Sequence, residues 1–253
     1  MLKYISYPVL LLTALLIMAH TKSSLIKTGH DLKSISPVVI NNSPVVKTTG
    51  SLEVVKSGYY KLWQLDNTGL SENAFNYAMK GFGYLSKANQ LTKKNIVSIV
   101  DFSKPSTQKR LFVIDVSSGK ILFNTWVAHG HNSGSEFAKR FSNSPESHQS
   151  SLGFYITMDT YTGGNGYSLR LKGCEKGIND NAYERDIVIH GADYVSGRFI
   201  SSRGALGRSY GCPAIPTELS QKIIDVIKEG SCLFLYHPTK KYCSRSKILN
   251  SQV

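Results

Sequence analysis

Apolar positions along the chain follow three patterns in turn. The first is a nearly unbroken run, Val9–Ala19, with Lys3 ahead of it and the polar His20-Thr21-Lys22-Ser23-Ser24 behind. A basic start, an apolar run of this length and a small residue at its end predict a secretory signal peptide over residues 1–20. The run is short beside the ~20 apolar residues that a membrane span needs. Ile17 is a poor residue for cleavage after Ala19, and no Cys follows the run to carry a lipid anchor. The second pattern, over residues 21–68, is an absence of period. It is rich in Ser, Thr, Lys, Val and Asn, with Pro37 and Pro44, and predicts a tether or loosely structured lead-in.

The third pattern, residues 69–240, is punctuated like a folded domain. Ser71-Glu72-Asn73-Ala74 offers an N-cap, and Phe75, Met79 and Phe82 recur at helical spacing. Ser71–Leu91 therefore predicts one helix, or two short ones if Gly81 and Gly83 break it. From Ile96 the runs are β-branched or aromatic, predicting strands at Ile96–Phe102, Leu111–Val116 and Ile121–Val127, the last two split by the turn Ser117-Ser118-Gly119-Lys120. Further strands are predicted at Gly153–Asp159, Tyr167–Leu171 and Asp186–Ile189. Leu219, Ile223, Ile224 and Ile227 give Glu218–Lys228 a helical stripe that closes at Gly230, and Cys232–Tyr236 reads as a last strand. The expected fold is mainly β with a few peripheral helices and a short basic tail, residues 241–253.

Composition narrows the class. With 41% hydrophobic residues in 253, the chain can bury a core, which excludes wholesale disorder. Lys and Arg number 30 against 17 Asp and Glu, a net +13, which fits a nucleic acid or any other polyanion. Loss of residues 1–20 removes Lys3 alone, so an exported chain keeps +12. The excess is spread over Lys87–Arg110 and the tail (Lys240, Lys241, Arg245, Lys247), with no recognition helix or RNA-binding aromatic motif. Export and this spread argue against nucleic acid and for loose electrostatic association with anionic envelope polymers.

The candidate chemistry starts from cysteine. Cys174, Cys212, Cys232 and Cys243 are few for a disulfide scaffold, and none falls in a CxxC zinc spacing. Cys232 leads a buried strand and is expected to pack, while Cys243 is within reach of a disulfide to Cys232 or Cys174 in an oxidising compartment. Cys212 differs. It follows Gly204-Ala205-Leu206-Gly207-Arg208-Ser209-Tyr210-Gly211 and precedes Pro213. Small residues there let N–H groups converge on an oxyanion, and Arg208 adds charge that favours a thiolate. A buried Cys at a tight turn explains the same facts. His190 ends the strand Ile187-Val188-Ile189 beside Gly191, positioned to take a proton from a thiol. Alone it reads better as a packed or surface His; with Cys212, base and nucleophile account for each other. A metal set from His129, His190, Cys174 and Cys212 is the weaker reading, so no metal and no cofactor is expected.

His190-Gly191, an eighteen-residue gap, and Ser209-Tyr210-Gly211-Cys212 resemble the signature of the YkuD-type L,D-transpeptidases: a His, a spacer, then Ser/Thr-His-Gly-Cys. More closely, the chain resembles the murein L,D-transpeptidase catalytic domain family. The similarity runs from Leu70 to Tyr236 and includes Val100-Asp101-Phe102-Ser103, Val127-Ala128-His129-Gly130, Asn132-Ser133-Gly134, Ser151-Leu152-Gly153-Phe154-Tyr155 and Leu206–Pro213. The resemblance implies a β-sandwich-like catalytic domain and a Cys thiolate that attacks the third residue's carbonyl in a peptidoglycan stem peptide. A terminal D-amino acid then leaves and a second amine resolves the thioester. It assigns Cys212 as nucleophile, His190 as base and the Gly191 carbonyl as orienter of the imidazole. The N–H groups of Gly211 and Cys212 would form the oxyanion hole, Ser209 matches the family's Ser/Thr, and Gly153 matches a glycine of the substrate-lining strand. His129, which follows the strand Ile121–Val127 with Asn132 and Ser133 nearby, reads either as loop polarity in a Gly-rich turn or as a cleft residue contacting substrate from the pocket rim.

Two positions depart from the family pattern. Tyr210 stands where His is usual, and Ala214 where an Arg commonly fixes substrate carboxylate; Arg208, Arg203 and Arg185 are the candidate substitutes. Three other readings stay open. Water instead of an amine would make the protein an L,D-carboxypeptidase. A non-catalytic wall-binding module would be expected to lack Cys or His. A nucleic-acid binder would show steep salt dependence.

Overall fold

The computed structural model describes residues 58–252. The segment at 1–20 and the lead-in as far as residue 57 lie outside the described residues. The described fold starts with helical residues 58–62 (α1) and a 3-10 turn, Leu65–Thr68. Tyr60 and Leu65 are buried, and the Tyr60 hydroxyl donates to the Leu70 carbonyl at 2.5 Å. Residues 58–68, expected to belong to the lead-in, are therefore part of the folded body; so few apolar residues anchor them that no period showed.

Helix α2 (Glu72–Lys87) is one continuous helix. The Ser71 hydroxyl accepts from the Ala74 N–H, a cap worth about 1 kcal/mol, and Ala74, Phe75, Ala78, Gly81 and Leu85 form its buried face. Eight strands follow: β1 (Ile96–Asp101), β2 (Leu111–Asp115), β3 (Lys120–Thr125), β4 (Gly153–Gly163), β5 (Gly166–Gly173), β6 (Val188–Gly191), β7 (Ala214–Ile215) and β8 (Cys232–Tyr236). All belong to one sheet in the order β3-β2-β1-β8-β4-β5-β6-β7. The central strands β1 and β8 run parallel and every residue in both is buried, so neither alternates: β8 reads as an apolar run, and β1 carries Ser98 and Asp101 among its apolar residues. Phe154 of β4 pairs with Phe234 of β8, ring centroids 4.1 Å apart.

The two ends of the sheet meet. The chain leaving β3 donates from Ala128 N–H to the Ala214 carbonyl (2.8 Å), and the Ser209 N–H donates to the His129 carbonyl (3.1 Å). His131 N–H returns a bond to the Ser209 carbonyl at 2.7 Å. The sheet thus nearly closes on itself, and the segment before β7 is pinned at the seam. Helix α3 (Gly197–Arg203) and helix α4 (Thr217–Ile227) flank β7, and α4 buries Ile223, Ile224 and Ile227.

The C-terminal segment is not a free basic tail. Helix α5 (Lys240–Arg245) buries Tyr242, and Ser246, Ile248 and Leu249 are buried after it. Glu175 ties it down, accepting from the Tyr242 hydroxyl (3.0 Å), from Ser246 and from the Phe154 N–H (2.9 Å). Cys174, Cys212, Cys232 and Cys243 are all free thiols, so the disulfide considered for Cys243 is not formed. Among the described residues no helix is long and apolar enough to cross a membrane.

Candidate active site

Strand pairing brings the two principal residues together. β6 and β7 run parallel with His190 opposite Ala214, which places Cys212 two residues earlier alongside Val188. The Cys212 Sγ accepts from the Val188 N–H and donates to the Asp186 carbonyl, both at 3.5 Å. The His190 Nδ1 lies 2.9 Å from the Gly191 carbonyl. A carbonyl oxygen only accepts, so Nδ1 carries the proton and Nε2 holds the free lone pair. Nε2 has no partner among the described residues. Gly191 has no room for a side chain, because a Cβ there would sit 2.8 Å from the Ser220 hydroxyl of α4. No hydrogen bond joins Sγ to His190 directly; such contacts are often long before substrate binds.

Ser209 shapes the turn that presents the cysteine. Its hydroxyl donates to the Cys212 carbonyl at 2.6 Å and accepts from the Gly211 N–H at 3.1 Å. Gly211 sits at φ 130°, in the region open to glycine, and a Cβ there would meet the Gln149 carbonyl at 3.0 Å. Its own carbonyl accepts from the Ser150 hydroxyl at 3.1 Å. The Gly211 N–H donates to Ser209 in this structure, whereas the Cys212 N–H has no acceptor among the described residues apart from its own sulfur. Tyr210, 73% exposed, stands at the rim with its ring 4.5 Å from that of His148.

Burial sets the protonation state. It pushes the Cys212 thiol up; the Val188 N–H and the Arg185 guanidinium pull the other way without overcoming it. Burial also lowers His190, with the Gly191 carbonyl opposing. The resting pair is a thiol beside a neutral imidazole, the state in which the imidazole can take the proton. The cation that acts on Cys212 is Arg185, not Arg208 as expected. Arg208 turns to the carbonyls of His131 and Gly134 (3.3 and 3.1 Å) and lines, with Arg203, a separate cavity of about 400 Å³. Arg185 is itself fixed, donating to the Ser142 and Gln149 carbonyls (2.9 and 2.8 Å) and the Ser151 hydroxyl (2.6 Å).

Several expected substrate contacts lie elsewhere. His129 is 1% exposed and not at a rim: its Nδ1 accepts from Arg110 Nη2 at 2.8 Å, and burial beside that cation lowers its pKa to about 3. Ser133 is fully buried, accepting from the Ser150 N–H. A Cβ on Gly153 would meet the Glu175 and Asn179 side chains. Asn132 is exposed, but its amide donates to the Ser147 carbonyl at 3.0 Å. Sequence reasoning missed Arg110, counted there as surface charge. It is wholly buried, donates to the carbonyls of Val127 and Lys104, and lies over the Phe102 ring at 5.0 Å. It also missed Ser150 and Arg185's bracing role; Ser150 directly precedes the Ser151–Tyr155 string, which is the signal that pointed nearest to it. His129 is bound by Arg110, and no group of three or more His, Cys, Asp and Glu among the described residues is placed to hold a metal.

One continuous sheet places His190 on β6 and Cys212 two residues ahead of the neighbouring β7. A family model described as L,D-transpeptidase catalytic domain (YkuD_2) matches residues 66–236, and the chain belongs to that family. Among solved structures, L,D-transpeptidase 3 from Mycobacterium tuberculosis is 12% identical, with 56% of this chain and 61% of that chain covered and a TM-score of 0.36. The helical cell shape determining protein Pgp2 from Campylobacter jejuni is 14% identical, with 65% and 57% covered and a TM-score of 0.39. An L,D-transpeptidase from Enterococcus faecium is 14% identical, with 56% and 48% covered and a TM-score of 0.31. The chain spans less than two thirds of the length of these solved structures. No curated protein matches.

Proposed function

We propose that this protein is an exported cysteine acyltransferase that performs L,D-transpeptidation on peptidoglycan stem peptides in the periplasm or cell envelope. The observation that carries the reading is the His190 imidazole, fixed through Nδ1 by the Gly191 carbonyl with Nε2 left free, on the strand beside Cys212. In the first half-reaction His190 Nε2 takes the Cys212 proton as sulfur attacks the stem-peptide carbonyl. The Cys212 N–H, which has no acceptor among the described residues apart from its own sulfur, stabilises the oxyanion. Collapse breaks the C–N bond, and the imidazolium returns the proton to the departing D-amino acid amine, leaving a thioester. In the second, an acceptor amine attacks the thioester, His190 takes its proton, and the thiol re-forms as the new amide is released. Neither half needs a cofactor.

Export is supported by the N-terminal pattern, and the net charge of +13 supports loose retention near anionic wall polymers. Incubation with purified muropeptides tests the function. Wild type should form cross-linked dimers and Cys212→Ala none. Shortened monomers without dimers would replace transpeptidation by L,D-carboxypeptidation, and an unchanged product profile in the Cys212 variant would point to a non-catalytic module.

A further inference from the structure

Gln149 also lines a cavity of about 520 Å³, within the size range of ligand pockets. It is lined by Lys139 and Arg140 from one segment and by Lys241 and Arg245 of α5, and by no Asp or Glu. The ion pairs among the described residues are Arg170–Asp159 and Lys228–Asp225, so none of these four cations has a carboxylate partner there. Arg140 donates to the Asn132 carbonyl at 3.0 Å and Arg245 to the Gly177 carbonyl at 3.4 Å; neither bond neutralises charge. Two carboxylates stand behind the lining, Asp180 accepting from the Gly177 N–H and the Asn143 amide and Glu175 from Tyr242 and Ser246, and neither is in ion-pair contact with the four cations.

Cations from two distant parts of the chain, converging unpaired on one concavity, create a field that an anion relieves. Phe141 and Tyr242 add apolar surface to the same lining, which suits a peptide carrying carboxylates better than a bare phosphate chain. Two residues of its lining also touch neighbours of Cys212. The Ser142 and Gln149 carbonyls, on its wall, hold Arg185, and the Gln149 carbonyl packs against Gly211.

We propose that this cavity is a carboxylate-recognising subsite for an acidic peptide, holding the anionic part of the stem peptide on which Cys212 acts. The proposal rests on the transpeptidase reading and names how that site selects its substrate. The test is calorimetric binding of a purified stem tetrapeptide, and of the same peptide with its carboxylates amidated, to wild type and to the Lys241→Ala/Arg245→Ala double variant. Both positions are exposed, and circular dichroism checks that the variant folds. The double variant should bind the acidic peptide about tenfold more weakly, the scale of two partly screened ionic contacts. The amidated peptide should bind wild type equally weakly, and the difference should shrink in high salt. Equal affinity for acidic and amidated peptide, an unchanged affinity in the double variant, or tighter binding of polyphosphate than of peptide would each overturn the subsite. Acylation of Cys212 by a carbapenem, followed in the same samples, separates the two claims. Acylation with charge-independent peptide binding defeats the subsite alone; no acylation of wild type defeats the transpeptidase reading.

Discussion

His129 and His190 are the same side chain put to opposite ends, and the comparison explains much of the molecule. Both are at least 96% buried, and burial pulls both below the ordinary imidazole range. The difference is the partner. His129 meets a guanidinium donor at Nδ1 and, more loosely, the Gly134 carbonyl at Nε2 (3.4 Å), so neither nitrogen is free. His190 meets one carbonyl at Nδ1 and nothing at Nε2 among the described residues. Burial alone does not suit an imidazole to act as a base; one satisfied nitrogen and one open nitrogen suit His190 to the proposed role.

The comparison is broken most forcefully at the bases themselves. His190→Ala should slow acylation of Cys212 by roughly 10²–10⁴-fold, the ordinary worth of a positioned base, with the protein still folded. His129→Asn should leave acylation per folded molecule within a few-fold in the same stopped-flow assay. A large rate loss from His129→Asn would dissolve the distinction.

Next is Arg110→Met, which leaves the buried His129 nitrogen, the Val127 carbonyl and the buried Asp101 without their cation. Stability should fall by about 1–3 kcal/mol for each buried acceptor left unpaired, read in denaturant melts. A loss below about 1 kcal/mol would mean the cluster is not a keystone of the seam.

Smaller is the pH response. The folded His129 pKa is about 3 against an ordinary 6.5, so between these values the unfolded chain binds more protons than the folded one. The stabilisation from keeping this imidazole neutral is present above about pH 6.5 and lost as pH falls toward 3, by at most about 1.4 kcal/mol per pH unit. His129→Asn, although less stable at pH 7, should therefore lose less on going from pH 7 to pH 4.5. Parallel pH profiles for wild type and variant would refute this. Smallest is Cys243→Ser: a free, half-buried thiol should leave stability within about 0.5 kcal/mol, and added reductant should not shift the melting temperature.

The same contrast shows how far the sequence could be read. The cap at Ser71, the strand Cys232–Tyr236 and the stripe of α4 follow local rules, because cap chemistry and apolar period act over a few residues. Helix α3 buries no residue, so no apolar stripe announced it, and the two-residue β7 is too short to have a period. At the site, the placing of Cys212 beside the strand of His190 and the Gly191 carbonyl against the imidazole were legible because both motifs stand on or next to neighbouring strands. The fates of His129, Arg110 and the Gly211 N–H were not. Each is decided by a partner brought in by folding: His129 and Arg110 by each other across nineteen positions, Gly211 by the Ser209 rotamer. Charge in a sequence carries no sign of burial, so Arg110 reads like any surface cation until the seam closes over it.

The central claim is covalent chemistry at one sulfur, and intact-protein mass spectrometry after incubation with a stem tetrapeptide tests it most directly. Wild type should gain the mass of the tetrapeptide less its terminal D-amino acid, localised by proteolysis to the peptide that contains Cys212, and Cys212→Ala should gain nothing. An adduct of undiminished yield in Cys212→Ala, or one mapped to Cys174, Cys232 or Cys243, would contradict the account.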